Sequence, residues 1–286
     1  MPLPEFELLR PKTLDEALEM LSAAPEAMPV AGGTNLIPDM RKGTYTPRTV
    51  VDVSRLPELC CIRRVEGHLL IGGAVRIAEL IEDPMVAEDA PVLLEMARSF
   101  ANVLIRNRAT VGGNLVNSAP CCDSAPAFLV LDAEVELISL VGTRRLPLSE
   151  FLVGAFETVR QPQELLTSIR APIPSDRSSS AFEKMGLRRI SCMAKVDVAV
   201  LVESDDNGVC EVARIALGAA SPVALRAKEA EKALVGRPLR PEAIGEAAER
   251  AASAVVPRTG SEYKRQVVHA LTRRLLTAAA ERGARR

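Results

Sequence analysis

Two short glycine-rich segments, residues 31–35 (AGGTN) and 110–114 (TVGGN), constrain the fold of this chain more than any other feature. Consecutive glycines let the backbone adopt positive φ and expose successive amide N–H groups, with no Cβ to keep an oxyanion away. The Thr and Asn of each segment add side-chain donors without a fixed positive charge. We therefore expect two turns that bind one phosphate-containing ligand through backbone amides.

Neither segment is a familiar nucleotide-binding fingerprint. The chain contains no G-x-x-x-x-G-K-[ST] motif, so the chemistry of a P-loop kinase or ATPase is not expected. It also contains no G-x-G-x-x-G between a strand and a helix, which excludes a standard Rossmann site. A third pair, Gly72 and Gly73, is interpreted as a bend at the end of a strand.

Composition excludes several classes of protein. The chain has 286 residues, enough for roughly two domains, with 48% apolar and 26% charged residues. The net charge of −1 provides no global field for holding a nucleic acid. No apolar run approaches the roughly 18 to 20 residues of a membrane-spanning helix, and the first residues lack the pattern of a signal peptide. We expect a cytoplasmic protein with no membrane span.

The cysteines and histidines do not indicate a metal centre. No C-x-x-C pair or zinc-like Cys/His spacing is present, and His68 and His269 fit no catalytic triad. The adjacent cysteines Cys121 and Cys122 are poor candidates for a disulfide with each other, and a packing role is favoured over a redox role. We expect no metal in this chain. The six cysteines are Cys60, Cys61, Cys121, Cys122, Cys192 and Cys210.

Hydrophobic periodicity and turn signals predict an α+β fold in two domains, residues 1–175 and 176–286. The first domain divides into subdomains of about 1–57 and 58–175, and the polar stretch 172–180 is the expected linker. Residues 108–126 show no persistent helical or strand period. The second domain is predicted as antiparallel strands followed by helices near 222–235, 241–255 and 261–282. The Asp205–Gly208 sequence (DDNG) predicts a hairpin turn between its strands.

Three stretches together resemble a known family. They are PVAGGTNLIPDMRKG at 29–43, ATVGGNLVNSAPCCDSAP at 109–126 and FEKMGLRRISCMAKVDVAV at 182–200. They are similar to the FAD-binding subunit of molybdenum hydroxylases, the group of xanthine dehydrogenase and aerobic carbon monoxide dehydrogenase. The resemblance covers essentially the whole chain. It implies a two-part FAD-binding domain of the PCMH/VAO type, followed by a small α+β domain of the carbon monoxide dehydrogenase flavoprotein type.

The resemblance also implies which residues bind FAD. In the family the first segment surrounds the pyrophosphate, the second closes on the same phosphates and the adenosine side, and an acidic residue binds the adenosine ribose. An aromatic residue and an apolar residue pack on the cofactor, and a lysine lies near the flavin ring. The corresponding residues here are Pro29, Val30, Ala31, Gly32, Gly33, Thr34, Asn35, Leu36, Phe100, Thr110, Val111, Gly112, Gly113, Asn114, Asp123, Leu166 and Lys195.

The family's activity implies partners for this chain. A large subunit would hold the molybdenum cofactor and oxidise the substrate, and a small subunit would hold two [2Fe-2S] clusters. Electrons would pass from those clusters to FAD and then to NAD, oxygen or another acceptor. A dimer of heterotrimers is the assembly that the resemblance suggests. Because the flavin ring supplies the redox chemistry, no side chain of this chain is expected to act as acid, base or nucleophile.

Two other functions remain open at this point. The chain could be a stand-alone FAD-dependent reductase or oxidase of the wider fold shared with UDP-N-acetylenolpyruvoylglucosamine reductase, which would need its own substrate cavity and proton donor. It could also be a scaffold subunit that has lost its flavin. The glycines of both segments and Asp123 argue against the second alternative.

Overall fold

The structure is a computed structural model that describes residues 2–188, 192–256 and 261–283. Residues 189–191, within the third family-like stretch, lie outside the described residues. The strands are β1 Glu7–Leu9, β2 Met28–Val30, β3 Thr49–Asp52, β4 Ile62–Val65, β5 His68–Gly72, β6 Glu134–Ser139, β7 Gly142–Pro147, β8 Leu152–Gly154, β9 Glu157–Thr158, β10 Leu165–Pro172, β11 Ser178–Gly186, β12 Ala194–Ser204, β13 Cys210–Gly218 and β14 Leu225–Arg226.

Helices cover one or both faces of these strands. They are α1 Leu14–Ala23, α2 Leu36–Lys42, α3 Ile77–Glu82, α4 Pro84–Asp89, α5 Pro91–Ser99, α6 Val103–Arg106, α7 Val111–Asn117, α8 Ser124–Val130, α9 Leu148–Phe151, α10 Lys228–Lys232, α11 Pro241–Ser253 and α12 Ser261–Gly283. None of the described helices combines the length and apolar composition that crossing a bilayer requires.

The first part of the chain is a small parallel sheet with the strand order β1-β3-β2. Thr13 caps the start of α1, where its Oγ1 accepts a hydrogen bond from the Glu16 amide at 3.2 Å. The Glu16 side chain accepts from the amide of Lys12, one residue before the cap, so the sequence Thr13–Glu16 forms only half of a capping box. Ala17, Leu18 and Leu21 of α1 then pack on Val51 and other residues of this small core. The β2 strand therefore ends at a fixed position, directly before residues 31–35.

A five-stranded antiparallel sheet, β4-β5-β10-β6-β7, forms the second part. Its core includes Ile71 of β5, Ile169 of the central strand β10 and the fully buried Phe128 of α8. Residues 108–126, which show no persistent helical or strand period in the sequence, nevertheless contain α7 and the start of α8. Glycine and proline weaken the helical signal in the sequence, whereas tertiary packing of both helices compensates for their low propensity.

A four-stranded antiparallel sheet, β11-β12-β13-β14, follows, with α11 and α12 on one face. The hairpin turn predicted at Asp205 is present. The Asp205 carboxylate accepts hydrogen bonds from the Val209 and Asn207 amides, and these bonds lower its pKa. The helix predicted over 222–235 is wrong, because residues 225–226 pair with β13 before the short α10 begins. The expected linker over 172–180 includes the last residue of β10 and the first residues of β11.

Strand β12 is buried on both faces and joins two cores. Val196, Val198 and Val200 belong to the core formed with α11 and α12. Ala199 and Leu201 belong to the core of the five-stranded sheet, since α8 packs on this face of β12 and β13. A strand covered on both faces reads as a continuous apolar run, and residues 198–202 of β12 have that form, whereas Lys195 and Asp197 interrupt it closer to the start.

Candidate functional site

The segment that follows β2 presents a row of backbone donors. None of the described residues accepts a hydrogen bond from the amide N–H groups of residues 32–36. Most of the segment is half-buried, and Gly33 has a φ of 68°, the left-handed conformation that glycine tolerates. Half-buried amides without a protein acceptor need another partner, from solvent or from a ligand. This geometry agrees with the phosphate-binding turn expected from the sequence.

The two glycine-rich segments are in direct contact. A Cβ built on Gly32 would lie 2.1 Å from the carbonyl oxygen of Arg108 and 3.0 Å from Cα of Ala109. These residues come immediately before the second segment, although about 80 positions separate the two segments in the sequence. The juxtaposition that the sequence predicted is therefore observed.

The second segment differs from the expected amide turn. It forms the first turn of α7, where Thr110 Oγ1 accepts a hydrogen bond from the Gly113 amide at 3.2 Å. The amides of Val111 and Gly112 donate to the carbonyl oxygens of Val75 and Gly73, and the Asn114 amide donates to Thr110. These four donors are used within the protein. The second segment can therefore offer side chains and a close backbone surface, but not a second row of free amides.

Gly73, which we had interpreted as part of a bend, supports the second segment. A Cβ on Gly112 would lie 2.6 Å from the Gly73 carbonyl oxygen, and a Cβ on Gly73 would lie 2.2 Å from the carbonyl oxygen of Leu166. Three backbone segments thus stack without side chains between them. The signal for this contact was in the sequence, since three Gly-Gly pairs recur at intervals of 40 residues.

Asn114 is oriented by side chains on either side of Asp123. Ser124 Oγ donates to Asn114 Oδ1 at 2.5 Å, and Cys122 Sγ donates to the same oxygen at 3.1 Å. With Oδ1 accepting both bonds, the NH₂ group of Asn114 is the end available to a ligand. Burial raises the pKa of Cys122 to about 12, so this thiol is a neutral donor rather than a reactive thiolate. Its packing role is in line with the interpretation favoured above.

A cavity of about 380 Å³ lies beside the two segments and touches the first residue of each, Ala31 and Thr110. Three arginines, Arg55, Arg76 and Arg108, also line it, and Arg76 is paired with a fourth charged lining residue, Glu79, at 2.6 Å. We did not predict these residues, because we expected side-chain donors without a fixed charge. Arg108 lies two positions before Thr110, so its position next to the motif could have identified it as a residue of the site. The volume falls within the range of small-molecule and cofactor sites.

The residues expected to pack on the cofactor or to lie near its flavin ring are in two environments. Phe100 and Leu166 belong to one apolar core and are only 8% and 6% exposed. Leu166 also contacts the position of Gly73, which places it behind the second segment. Lys195 is exposed, and it precedes Asp197 on the face of β12 that is directed toward α8.

Asp123 lies at the boundary between α8 and the C-terminal sheet. Its Oδ2 accepts a hydrogen bond from Lys184 Nζ of β11 at 2.5 Å, and both side chains are almost fully buried. Burial raises the pKa of Asp123, against the opposing effect of the Lys184 charge. Its Oδ1 has no hydrogen-bond partner among the described residues. Sequence reasoning did not identify Lys184 or the neighbouring Asp197 as part of this site.

The donor set fits FAD. A diphosphate needs several hydrogen-bond donors and positive charge, and the free amides of residues 32–36, the Asn114 amide group, Arg55 and Arg108 supply them. The contact between the two segments also places the backbone of the second segment next to these donors, with no side chain in between. No metal-binding group of three or more ligand side chains occurs in the part of the chain that the structure describes.

Comparisons with known proteins give the family. Residues 4–174 match the model of the FAD binding domain in molybdopterin dehydrogenase, and residues 180–279 match the CO dehydrogenase flavoprotein C-terminal domain. The chain is 31% identical to the 6-hydroxypseudooxynicotine dehydrogenase complex subunit alpha of Paenarthrobacter nicotinovorans, over 98% of this chain and 96% of the relative. It is also 31% identical to the carbon monoxide dehydrogenase medium chain of Hydrogenophaga pseudoflava, over 96% and 97%.

A solved structure of carbon monoxide dehydrogenase from Hydrogenophaga pseudoflava superposes with a TM-score of 0.94, at 31% identity and over 99% of both chains. The fold class, the FAD cofactor and the assignment to an oxidoreductase subunit are thereby confirmed. The chain belongs to the family of FAD-binding medium subunits of molybdenum hydroxylases.

Proposed function

We propose that this chain is the electron-transfer flavoprotein of a heterotrimeric molybdenum hydroxylase. It takes electrons from the [2Fe-2S] clusters of a small subunit and passes them to NAD, oxygen or another acceptor, while a large subunit holds the molybdenum cofactor. The names of two relatives, a medium chain and a complex subunit, support a multi-subunit assembly. The observation that carries the proposal is the row of unpaired amides at residues 32–36, beside a cavity lined by arginines.

In this proposal the first segment holds the diphosphate of FAD through its backbone amides. Thr110 and Asn114 complete the contact from the second segment, and Asp123 corresponds to the acidic residue that the family places at the adenosine ribose. Phe100 and Leu166 form the apolar wall of the site, and Lys195 lies near the flavin ring. The residues assigned to the site are Pro29, Val30, Ala31, Gly32, Gly33, Thr34, Asn35, Leu36, Phe100, Thr110, Val111, Gly112, Gly113, Asn114, Asp123, Leu166 and Lys195.

When bound, FAD supplies the reversible uptake and release of two electrons. The chain's own residues then bind and orient the cofactor rather than take part in bond making. Buried apolar groups such as Leu166 exclude water from one side of the site. A cation at Lys195 would favour negative charge on the ring and so raise its reduction potential. We further propose a dimer of heterotrimers that functions in the cytoplasm, and a domain division near residue 175.

The binding of FAD through its diphosphate is tested by comparing three ligands. The purified chain, stripped of flavin, is titrated with FAD, FMN and riboflavin while flavin fluorescence is followed. We expect FAD to bind at least about a hundredfold more tightly than riboflavin, because several charge-assisted hydrogen bonds to phosphate are lost without it. Equal affinity for FAD and riboflavin would contradict the diphosphate site.

The electron-transfer role is tested in the assembled complex. Substrate should bleach the flavin absorbance only when the small [2Fe-2S] subunit is present, and the large subunit alone should not reduce this chain. Flavin reduction by a substrate in the isolated chain would instead favour the stand-alone reductase or oxidase. A correctly folded chain that takes up no flavin would favour the scaffold alternative.

A further inference from the structure

Asp197 is a fully buried carboxyl group that the proposed function does not use. It lies on β12, on the face directed toward α8, and has no exposed surface. The Asp123 carboxyl and the Gly218 amide are its nearest polar neighbours, yet neither carboxyl oxygen of Asp197 makes a hydrogen bond of good geometry with a described residue, and the same holds for Oδ1 of Asp123. Unpaired carboxylate oxygens in the interior are costly, so this cluster requires an explanation.

The packing around Asp197 leaves no room for water on one side. A Cβ built on Gly218 of β13 would lie 1.8 Å from Asp197 Oδ1 and 2.7 Å from Cγ of Pro126. The carboxyl group is therefore confined between β13 and α8, and a bridging water between it and β13 cannot resolve the missing hydrogen bonds.

The charges of the cluster do not balance if both carboxyl groups are ionised. Lys184 of β11 compensates Asp123, with which it forms a 2.5 Å ion pair, and an ionised Asp197 would add a second buried negative charge. Burial, together with the charge of Asp123, raises the pKa of Asp197 well above its ordinary value. One proton on Asp197 removes the excess charge and also provides a donor toward Asp123.

The other titratable groups around Asp197, in the part of the chain that the structure describes, stay neutral at physiological pH. Cys121 and Cys122 face it from the segment before α8, and burial raises the pKa of both thiols. From β13 the neighbour is Gly218, which has no titratable side chain. The balance of charge is thus set by Asp197, Asp123 and Lys184.

We propose that Asp197 is a positioning residue that carries a proton at neutral pH and donates it in a hydrogen bond to Asp123. This bond and the Lys184 ion pair fix Asp123 to the C-terminal sheet. Cys122 and Ser124, the neighbours of Asp123 in sequence, are then held where they orient the Asn114 amide. The C-terminal domain thereby stabilises the second segment of the FAD site. The consequence for FAD rests on the proposed function, whereas the proton on Asp197 does not.

The proton on Asp197 is tested by the pH dependence of unfolding. The holoprotein and its Asp197→Asn variant are unfolded with urea from mildly acidic to alkaline pH. Asn has the same shape, no charge and an NH₂ donor for Asp123. In the unfolded chain Asp197 ionises near pH 4, but in the folded chain it stays protonated to higher pH. The variant should therefore gain stability relative to the wild type as pH rises, by about tenfold in the unfolding equilibrium constant per pH unit.

The stability of Asp197→Asn relative to the wild type should stop rising at the pH at which Asp197 ionises in the folded protein. A variant whose stability follows that of the wild type in parallel from acidic to alkaline pH would overturn the proposal. If the variant does not fold, infrared spectra of the wild type decide the matter: a protonated carboxyl C=O band at neutral pH supports the proposal, and its absence from a protein with Asp-specific isotope labelling overturns it.

The consequence for the cofactor is measured as the rate of FAD release. Release from the wild type should accelerate about tenfold or more as pH rises through the pKa of Asp197, and it should be independent of pH in Asp197→Asn. A Cys121→Ser variant is the matched control and should keep the wild-type profile. Alkaline release that persists unchanged in Asp197→Asn would overturn the positioning role.

The two proposals can fail separately. If Asn114→Ala leaves FAD affinity unchanged, the assignment of Asn114 to the FAD site is wrong, while the unfolding and infrared measurements still test Asp197. If Asn114→Ala weakens FAD binding but Asp197→Asn alters neither the pH dependence of unfolding nor that of release, the FAD site stands and the role of Asp197 is wrong.

Discussion

The backbone of Gly32 lies directly against the carbonyl oxygen of Arg108, at a separation that leaves no room for a side chain. This contact joins the first and second glycine-rich segments, and the cavity that we assign to FAD lies beside it. The opposing atom belongs to the backbone, so it cannot rotate away as the end of a flexible side chain could.

Gly32→Ala should therefore displace one segment from the other. We expect a loss of about 1–3 kcal/mol of stability from overpacking, and purified protein with little bound flavin. The measurement is the ratio of flavin to protein by absorbance, together with urea unfolding. Gly245→Ala is the control, since a Cβ there meets no atom within 4 Å. A flavin-replete Gly32→Ala protein would show that the close contact is unnecessary for binding.

Gly245→Ala should itself stabilise the protein. Gly245 lies inside helix α11, where glycine loses more conformational entropy on folding than alanine. We expect a gain of about 0.5–1 kcal/mol in the free energy of unfolding, with unchanged flavin content. Chemical denaturation measures this gain in stability. A decrease in stability would contradict the structure, in which a Cβ at position 245 contacts no other atom.

Arg226→Ala should destabilise the contact between the C-terminal domain and α8. Arg226 forms a 2.5 Å ion pair with Glu231 and another with Asp132, just beyond α8, and its side chain is 9% exposed. Removing it leaves Glu231 buried without this partner, at an expected cost of about 3 kcal/mol. Arg250→Ala, at an exposed pair with Glu246, is the matched control and should cost about 0.5 kcal/mol or less. Equal costs would contradict the structural role of Arg226.

Glu164→Gln should reduce stability at neutral pH but not at acidic pH. Burial by itself would raise the pKa of Glu164, yet hydrogen bonds from Arg144 and the Gln161 amide lower it overall. The ionised carboxylate thus adds stability above the unfolded pKa of about 4.3, and this contribution is lost as pH falls through the lowered folded value. We expect a loss of about 1 kcal/mol at pH 7, limited by the partial exposure of Arg144.

Urea unfolding of Glu164→Gln at neutral and acidic pH tests this assignment. The difference from the wild type should shrink as the pH is lowered. The control is Glu262→Gln, whose pair with Arg265 is long and exposed, and which should match the wild type at every pH. A loss that persists unchanged in acid would mean that Glu164 stabilises the fold by packing rather than by its charge.

The family, and the proximity of the two glycine-rich segments in space, could be predicted because short sequence motifs indicate both. The role of the second segment could not be predicted from the sequence. Only the tertiary contacts of Thr110, Val111 and Gly112 show that the amides of this segment already donate hydrogen bonds within the protein. Glycine at two adjacent positions indicates an amide turn and a close backbone approach equally well. In the structure the first segment provides the turn and the second provides the close approach.

The charged part of the site was the least predictable. Lys184 and Asp197 are separated from Asp123 by 61 and 74 positions, and antiparallel pairing of β11 with β12 brings them to one face. In the sequence Lys184 follows Glu183 in a strand that begins with three serines, and Asp197 lies among the valines and alanines of β12. The register of the sheet decides whether such a residue points to solvent or into the interior, and no local pattern of these strands gives that register.

The alternation along β12 has a further consequence for how this protein can be divided. Cutting the chain near residue 175 would expose Ala199 and Leu201 on one piece and the apolar surface of α8 on the other, since these groups share one core. Each half would then expose an apolar surface to water and would aggregate. Exchange of the C-terminal module between relatives should therefore succeed only when α8 is exchanged with it.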